Sequence, residues 1–218
     1  MSNTQQLQDF TTQVRRDILR MVHAVNSGHP GGSLGCAEFL VTLYQHVMKR
    51  NEGFDFYQFD PNKKTVLIMG GSLGARTLNN SVVNQLNNIP SEVQILWQCG
   101  KLYHDKLNQE YSKQLPPNVK LVEFISRMDF AYAIADIVVS RAGAISVSEL
   151  CLVKKPTILV PSPNVAEDHQ TKNAMALVKQ NAAVMVSDAQ SKETLIPSAI
   201  ELLNNPVLCD QLAKSIRL

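Results

Sequence analysis

From residue 65 onward the chain alternates between short apolar runs of strand character and longer stretches with helical spacing, a pattern few folds accept. The apolar runs fall at 65–69, 93–97, 119–124, 137–140, 157–160 and 183–186. Helical stretches fall at 78–86, 104–115, 128–135, 146–153, 170–179, 193–203 and 207–216. A strand that is apolar at nearly every position has both faces covered. A helix between successive strands supplies the crossover that lets them run parallel. The expected fold class is α/β, a Rossmann-like doubly wound parallel sheet, for which about 160 residues suffice.

Residues 1–55 have another character. Val14, Ile18, Met21, Val22 and Val25, then Phe39, Leu40, Leu43, Tyr44 and Val47, recur at helical spacing. They predict two amphipathic helices, about 8–26 and 34–49, split by the breaker run Ser27-Gly28-His29-Pro30-Gly31-Gly32. The stretch 50–62 shows no period and reads as a connection. The expected division is therefore a helical front piece, 1–55, and an α/β domain, 56–218.

Composition excludes several function classes. A net charge of +2 leaves no clustered basic face for nucleic acid. No stretch approaches the roughly 18 apolar residues of a membrane span. The polar start MSNTQQLQDF lacks the apolar centre of a signal peptide. Cys36, Cys99, Cys151 and Cys209 are scattered, which favours free thiols over disulfides or a zinc site. A cytoplasmic protein is expected, with no metal and no cofactor.

The pentapeptide Gly-Gly-Ser-Leu-Gly occurs twice, at 31–35 and 70–74. Missing side chains let backbone N–H groups approach phosphate oxygens, and a following helix N-terminus adds partial positive charge. The second copy (Gly70, Gly71, Ser72, Leu73, Gly74) follows a strand and opens a helix, as in nucleotide sites at the carboxyl ends of parallel strands. A tight strand-to-helix turn without ligand is the alternative. The first copy follows a helix, where a plain helix–helix turn is favoured.

Two further clusters lie at strand-to-helix junctions. Ser140-Arg141-Ala142-Gly143-Ala144-Ile145-Ser146-Val147-Ser148-Glu149 combines small residues with Ser146 and Ser148 at a helix start. Glu149, one turn in, can accept hydrogen bonds from both ribose hydroxyls; a helix-stabilising first-turn glutamate is the alternative. The run 161–174 is a proline-rich loop leading into a polar helix start. Its His169, Gln170 and Asn173 can present imidazole and amide groups to one crevice, or form a solvated cap.

In this order and spacing, GGSLGA at 70–75, Phe124-Ile125, SRAGAISVSE at 140–149 and EDHQTKNA at 167–174 resemble the C-terminal domain of the peptidoglycan N-acetylglucosaminyltransferases of glycosyltransferase family 28. The resemblance runs from about residue 56 to 218 and implies the nucleotide-sugar half of a GT-B fold. It further implies that Ser72 contacts the donor pyrophosphate, that the Ile125 backbone meets the uracil, and that 144–149 meets phosphate and ribose, with Glu149 on the ribose hydroxyls. Gln170 would hold the sugar hydroxyls, with His169 at the adjacent position. The implied donor is UDP-N-acetylglucosamine. The implied acceptor is undecaprenyl-pyrophosphoryl-muramyl-pentapeptide (lipid I), displacing UDP with inversion and without an obligatory metal; the chain has no Asp-x-Asp motif.

The front segment, from about residue 12 to 51, resembles the start of a transketolase, where the histidine matching His29 lies near thiamine diphosphate. The Gly-Asp-Gly of that cofactor's metal motif is absent. The chain thus reads as a fusion of two families with front helices docked loosely or not at all. Because the family's acceptor loops, membrane-docking patch and base lie in its N-terminal domain, and the C-terminus looks short, donor binding without sugar transfer is expected. Membrane association is not expected of this half alone; the complete enzyme would be peripheral on the cytoplasmic face of the inner membrane. An inactive transketolase fragment, a transferase using a separate acceptor-binding partner, and a chimera that binds nothing are the competing readings.

Overall fold

The computed structural model describes residues 50–71 and 73–216, with a few helical positions between 5 and 16. Most of the first expected front helix, the whole of the second, the first glycine pentapeptide, His29 and Ser72 lie outside the described residues. Elements are numbered from Arg50.

Six strands form one parallel sheet: β1 Lys64–Met69, β2 Val93–Gln98, β3 Val119–Val122, β4 Ile137–Ser140, β5 Thr157–Leu159 and β6 Val184–Met185. Their spatial order is β3-β2-β1-β4-β5-β6. Strands are added outward from β1 in one direction and then, from β4, in the other. The connections diverge between β1 and β4, and such a switch point opens a crevice at the carboxyl edge of an α/β sheet. The register aligns Gln98 with Met69 and Met69 with Ser140, so these three residues mark that edge.

Helices cover both faces, because alternate residues of each strand point to opposite sides. Leu67, Leu96, Val138 and Leu159 face one way. They pack under α1 (Arg50–Tyr57), α4 (Met128–Ile134), α5 (Ala144–Val153) and α6 (His169–Val178). Val66, Ile68, Trp97, Val139 and Ile158 face the other way, under α2 (Arg76–Gln85), α7 (Ser191–Leu203) and α8 (Pro206–Ser215). A further helix, α3 (His104–Tyr111), follows β2. Buried polar groups are paired across elements: the Trp97 indole donates to Asn79 Oδ1 at 2.9 Å, and Asn79 Nδ2 donates to the Cys99 carbonyl at 3.0 Å.

The stretch 50–62 differs from the expected connection. Arg50–Tyr57 is a helix crossing the expected boundary near residue 55, and Phe54, Tyr57 and Phe59 are buried. Gly53 lets α1 lie close on α4: a Cβ there would sit 2.7 Å from Ile134 Cγ2 and 3.0 Å from the Phe130 carbonyl. Within the stretch expected to be a connection, this glycine is a point of contact between helices.

Candidate functional site

The crevice above Gln98, Met69 and Ser140 holds two cavities, of about 510 and 350 Å³. Both are lined by Gly71, Arg141 and Ser146, so they are lobes of one cleft. The larger is polar in its lining, with the glycine loop, Thr77, Tyr103, Ser162, Asn164 and Gln170. The smaller is walled by Met69, Phe124, Ile125, Met128 and Ile145, with Glu149 as its carboxylate. An apolar slot ending in a carboxylate, opening into a polar chamber, matches the shape of a nucleoside joined to phosphates.

The starts of α2 and α5 both line this cleft, and neither has a side-chain cap. The N-cap of α2 is Ala75 and that of α5 is Gly143. Residues of this type leave the first-turn N–H groups to water or a ligand, where Ser, Thr, Asp or Asn would satisfy one of them. In α5 the first intrahelical bond runs from Val147 N–H to the Gly143 carbonyl, so the N–H groups of Ala144, Ile145 and Ser146 lie before it. Arg76 adds a cation at the first position of α2, the end where the helix dipole disfavours one. Two uncapped N-termini at one cleft, one of them with a cation in its first turn, make an anion-binding arrangement.

The glycine loop joins the ends of β1 and β2. Gly74 has φ +87°, and a Cβ there would collide with the Cys99 carbonyl. Gly70 N–H donates to the Gln98 carbonyl at 3.1 Å and Gly74 N–H to the Gly71 carbonyl at 2.9 Å, so these donors hold the loop's own shape. Gln98 Nε2 completes the brace, donating to the Gly71 carbonyl at 2.8 Å and the Glu123 carbonyl at 3.1 Å.

Arg141 lines both lobes, yet its guanidinium is engaged from behind. Nη1 donates to Asp188 Oδ1 and, at 3.0 Å, to the Val160 carbonyl. The other Asp188 oxygen accepts from Thr77 Oγ1 at 3.0 Å. One carboxylate thus ties the end of β4, the start of α2 and the loop before α7. Glu149 is the sixth residue of α5, past the first turn, so the helix-start reading of this glutamate does not apply. Its Oε2 accepts from the buried Tyr132 hydroxyl at 3.0 Å. Burial pushes its carboxyl above the ordinary carboxylate range, and the Tyr132 hydrogen bond opposes that rise.

Gly70, Gly71, Gly74, Ile125, Arg141, Gly143, Ile145, Ser146, Glu149 and Gln170 all line the cleft. Gln170 Oε1 accepts from Ser162 N–H at 2.9 Å, leaving its two amide N–H donors as remaining capacity. Other expected site residues lie elsewhere. Val147 is in the core, and Ser148 is buried with its hydroxyl donating to the Ala144 carbonyl at 2.9 Å. Asn173, expected to face the crevice, is buried and donates to the Ala142 carbonyl at 3.0 Å, bracing the turn into α5. His169 opens α6 and lines neither lobe; Ala144 contributes backbone at the helix start. Sequence reasoning missed Gln98, Met128, Tyr132 and Asp188 as contributors, and it marked the run 161–174 without picking out Ser162 and Asn164 within it. Gln98 carried a faint signal, as a polar residue at the carboxyl end of a mostly apolar strand.

Comparison with known proteins gives the same placement. The profile of the glycosyltransferase family 28 C-terminal domain matches residues 65–215. A UDP-N-acetylglucosamine--N-acetylmuramyl-(pentapeptide) pyrophosphoryl-undecaprenol N-acetylglucosamine transferase from Parabacteroides distasonis is 46% identical over 175 residues, covering 80% of this chain and 48% of that protein. The like-named protein of Cytophaga hutchinsonii is 49% identical over 170 residues, covering 77% and 45%. Among solved structures, MurG of Acinetobacter baumannii superposes with a TM-score of 0.60 at 30% identity, covering 76% of this chain and 48% of that one. The chain spans about half the length of the curated relatives it matches. Among the described residues no helix is long and apolar enough to cross a membrane. The chain belongs to glycosyltransferase family 28, and the part of that family it carries is the C-terminal domain.

Proposed function

We propose that this chain binds UDP-N-acetylglucosamine as the donor half of a transferase that passes the sugar to lipid I. The observation that carries the reading is the two-lobed cleft at the β1/β4 switch point, with Glu149 in its apolar lobe and two uncapped helix starts in its polar lobe. Uracil enters between Phe124, Ile125 and Met128, with the ribose hydroxyls donating to Glu149. The pyrophosphate lies before α2 and α5, next to Ser72, and the sugar reaches Ser162, Asn164 and Gln170. In the displacement step the charge growing on the leaving UDP meets backbone N–H donors already aimed at it, which needs no reorganisation as the bond breaks.

This chain by itself holds the donor and leaves it unreacted. Glu149 is the only carboxylate lining the cleft among the described residues, no histidine lines it, and Glu149 serves the nucleoside end. Deprotonation of an acceptor hydroxyl therefore needs a base from outside this lining, held within hydrogen-bond reach of the acceptor. The relatives' other half is the natural source, together with the lipid-binding surface. The part of the expected front piece that precedes Arg50 is proposed to be a separate, transketolase-like segment that adds nothing to donor binding; a chain starting at Arg50 would then bind as the whole chain does.

Calorimetric titration with UDP-N-acetylglucosamine, UDP-glucose and UDP tests the reading. Saturable binding that favours the N-acetylated sugar and is lost in Glu149→Ala supports it. A cooperatively folded protein that binds none of the three refutes it.

A further inference from the structure

We propose that Tyr132 is the positioning residue that fixes the Glu149 carboxylate for a vicinal diol, and so gives the apolar lobe its preference for a ribonucleotide over a deoxyribonucleotide. This rests on the reading of the lobe as a nucleoside site. Tyr132 stands on α4, fully buried, and its hydroxyl reaches across to Oε2 of Glu149 on α5 at 3.0 Å. The two helices share the core on one face of the sheet, so the phenol ring is held by packing and its oxygen has a fixed address.

The rest of the lobe gives Glu149 little help. Met69, Ile125 and Met128 are apolar, and Gln98 spends its amide N–H groups on the Gly71 and Glu123 carbonyls. Arg141, the one cation lining the lobe among the described residues, is paired with Asp188. Among the described residues, Tyr132 and Arg141 are thus the titratable or charged groups that face Glu149 from the elements packed against it, and only Tyr132 bonds to the carboxylate.

The chemistry requires an ionised acceptor. A carboxylate can accept from two adjacent hydroxyls at once, whereas a protonated carboxyl must donate its own hydrogen and loses part of that capacity. A hydrogen bond to the charged form favours that form, and burial opposes it. With one oxygen anchored by Tyr132, the carboxylate cannot rotate freely. The 2′ and 3′ hydroxyls meet it in one orientation, and a 2′-deoxy ligand leaves one acceptor site unused.

The test compares affinities for UDP-N-acetylglucosamine and its 2′-deoxyuridine counterpart across pH, in the full chain and in Tyr132→Phe and Glu149→Gln. The nucleotide-sugar is chosen because its pyrophosphate diester does not titrate near neutrality, as the terminal phosphate of UDP would. The full chain should prefer the ribo ligand and lose affinity as pH falls through the Glu149 titration, and Glu149→Gln should bind weakly with a flat profile. Tyr132→Phe should bind the ribo ligand about tenfold more weakly at neutral pH, the effect of losing roughly one charge-assisted hydrogen bond's worth of orientation. It should show a smaller ribo-to-deoxy ratio, with the fall in affinity moved to higher pH. An unchanged ratio and midpoint in a folded Tyr132→Phe would overturn the proposal, whatever its melting temperature. If that variant does not fold, replacing tyrosine by the more acidic 3-fluorotyrosine should move the midpoint to lower pH, and an unmoved midpoint would overturn it equally. Absence of binding by the full chain at every pH would remove the nucleotide reading itself, and this proposal with it.

Discussion

At the scale of single residues, the cleft keeps groups that its fold would be more stable without. The Glu149 pKa is raised in the folded state, so the native protein holds its proton more tightly than the unfolded chain does. Stability therefore falls as pH rises between the unfolded and folded values, and the full penalty applies above the folded one. Glu149→Gln should accordingly melt at a higher temperature than the parent at neutral pH while losing donor affinity. That advantage should fade as pH falls to about 4, where unfolded carboxyls protonate; a melt series from pH 4 to 8 checks both. The Arg141–Asp188 pair behaves oppositely. Removing the carboxylate in Asp188→Ala strands a largely buried cation and should cost about 2 kcal/mol by chemical denaturation. Replacing the cation too, as Arg141→Met with Asp188→Ala, should recover part of that loss, because no uncompensated charge remains. The residues alone left Glu149 open between a ribose acceptor and a helix-stabilising glutamate, and the family resemblance singled it out; the structure places it in the cleft. Ser146 and Ser148 looked equivalent in the sequence, but two helical residues two apart point about 200° apart. Only Ser146 lines the cleft, and Ser148 turns inward. Tyr132 and Asp188 carried no signal, since their partners are 17 and 47 positions away and only the packing of the chain brings them together.

At the scale of elements, all six strands are where apolar continuity put them, with ends displaced by at most two residues. Continuous apolar runs mark the central strands well because the parallel sheet buries both of their faces, so nearly every residue of β1, β2, β4 and β5 is buried. The helix Arg50–Tyr57 was not legible for the converse reason. It is only 8 residues long, has a glycine in its middle, and shows its apolar residues over too few turns to establish a period. Its importance comes from what it covers, since it packs on α4, the helix that carries Tyr132. Phe54 is 3% exposed against that helix. Phe54→Ala should lower stability by about 3 kcal/mol through lost burial and the cavity left behind. A denaturation midpoint within error of the parent would show that α1 is only an appendage.

At the scale of the whole molecule, cooperativity comes from the sheet being shared. Each central strand sends alternate residues into two cores, Leu67 and Leu96 into one and Ile68 and Trp97 into the other. Neither core can dissolve without removing one wall of its neighbour, so the domain should unfold in a single transition. The lone tryptophan makes this testable, since Trp97 lies in the core opposite the one containing Tyr132 and the buried face of α5. A donor bound at the cleft touches loops anchored in both layers, and binding to the native state alone adds RT ln(1 + [L]/Kd). UDP-N-acetylglucosamine at 100 times its Kd should therefore raise the unfolding free energy by about 2.7 kcal/mol. The increase should be the same whether followed by Trp97 fluorescence or by far-ultraviolet circular dichroism. Stabilisation seen by circular dichroism but not by the tryptophan would mean that the α5 side responds alone. In that event the sheet separates the two layers in solution instead of joining them, and the anion site shared by α2 and α5 does not act as one site.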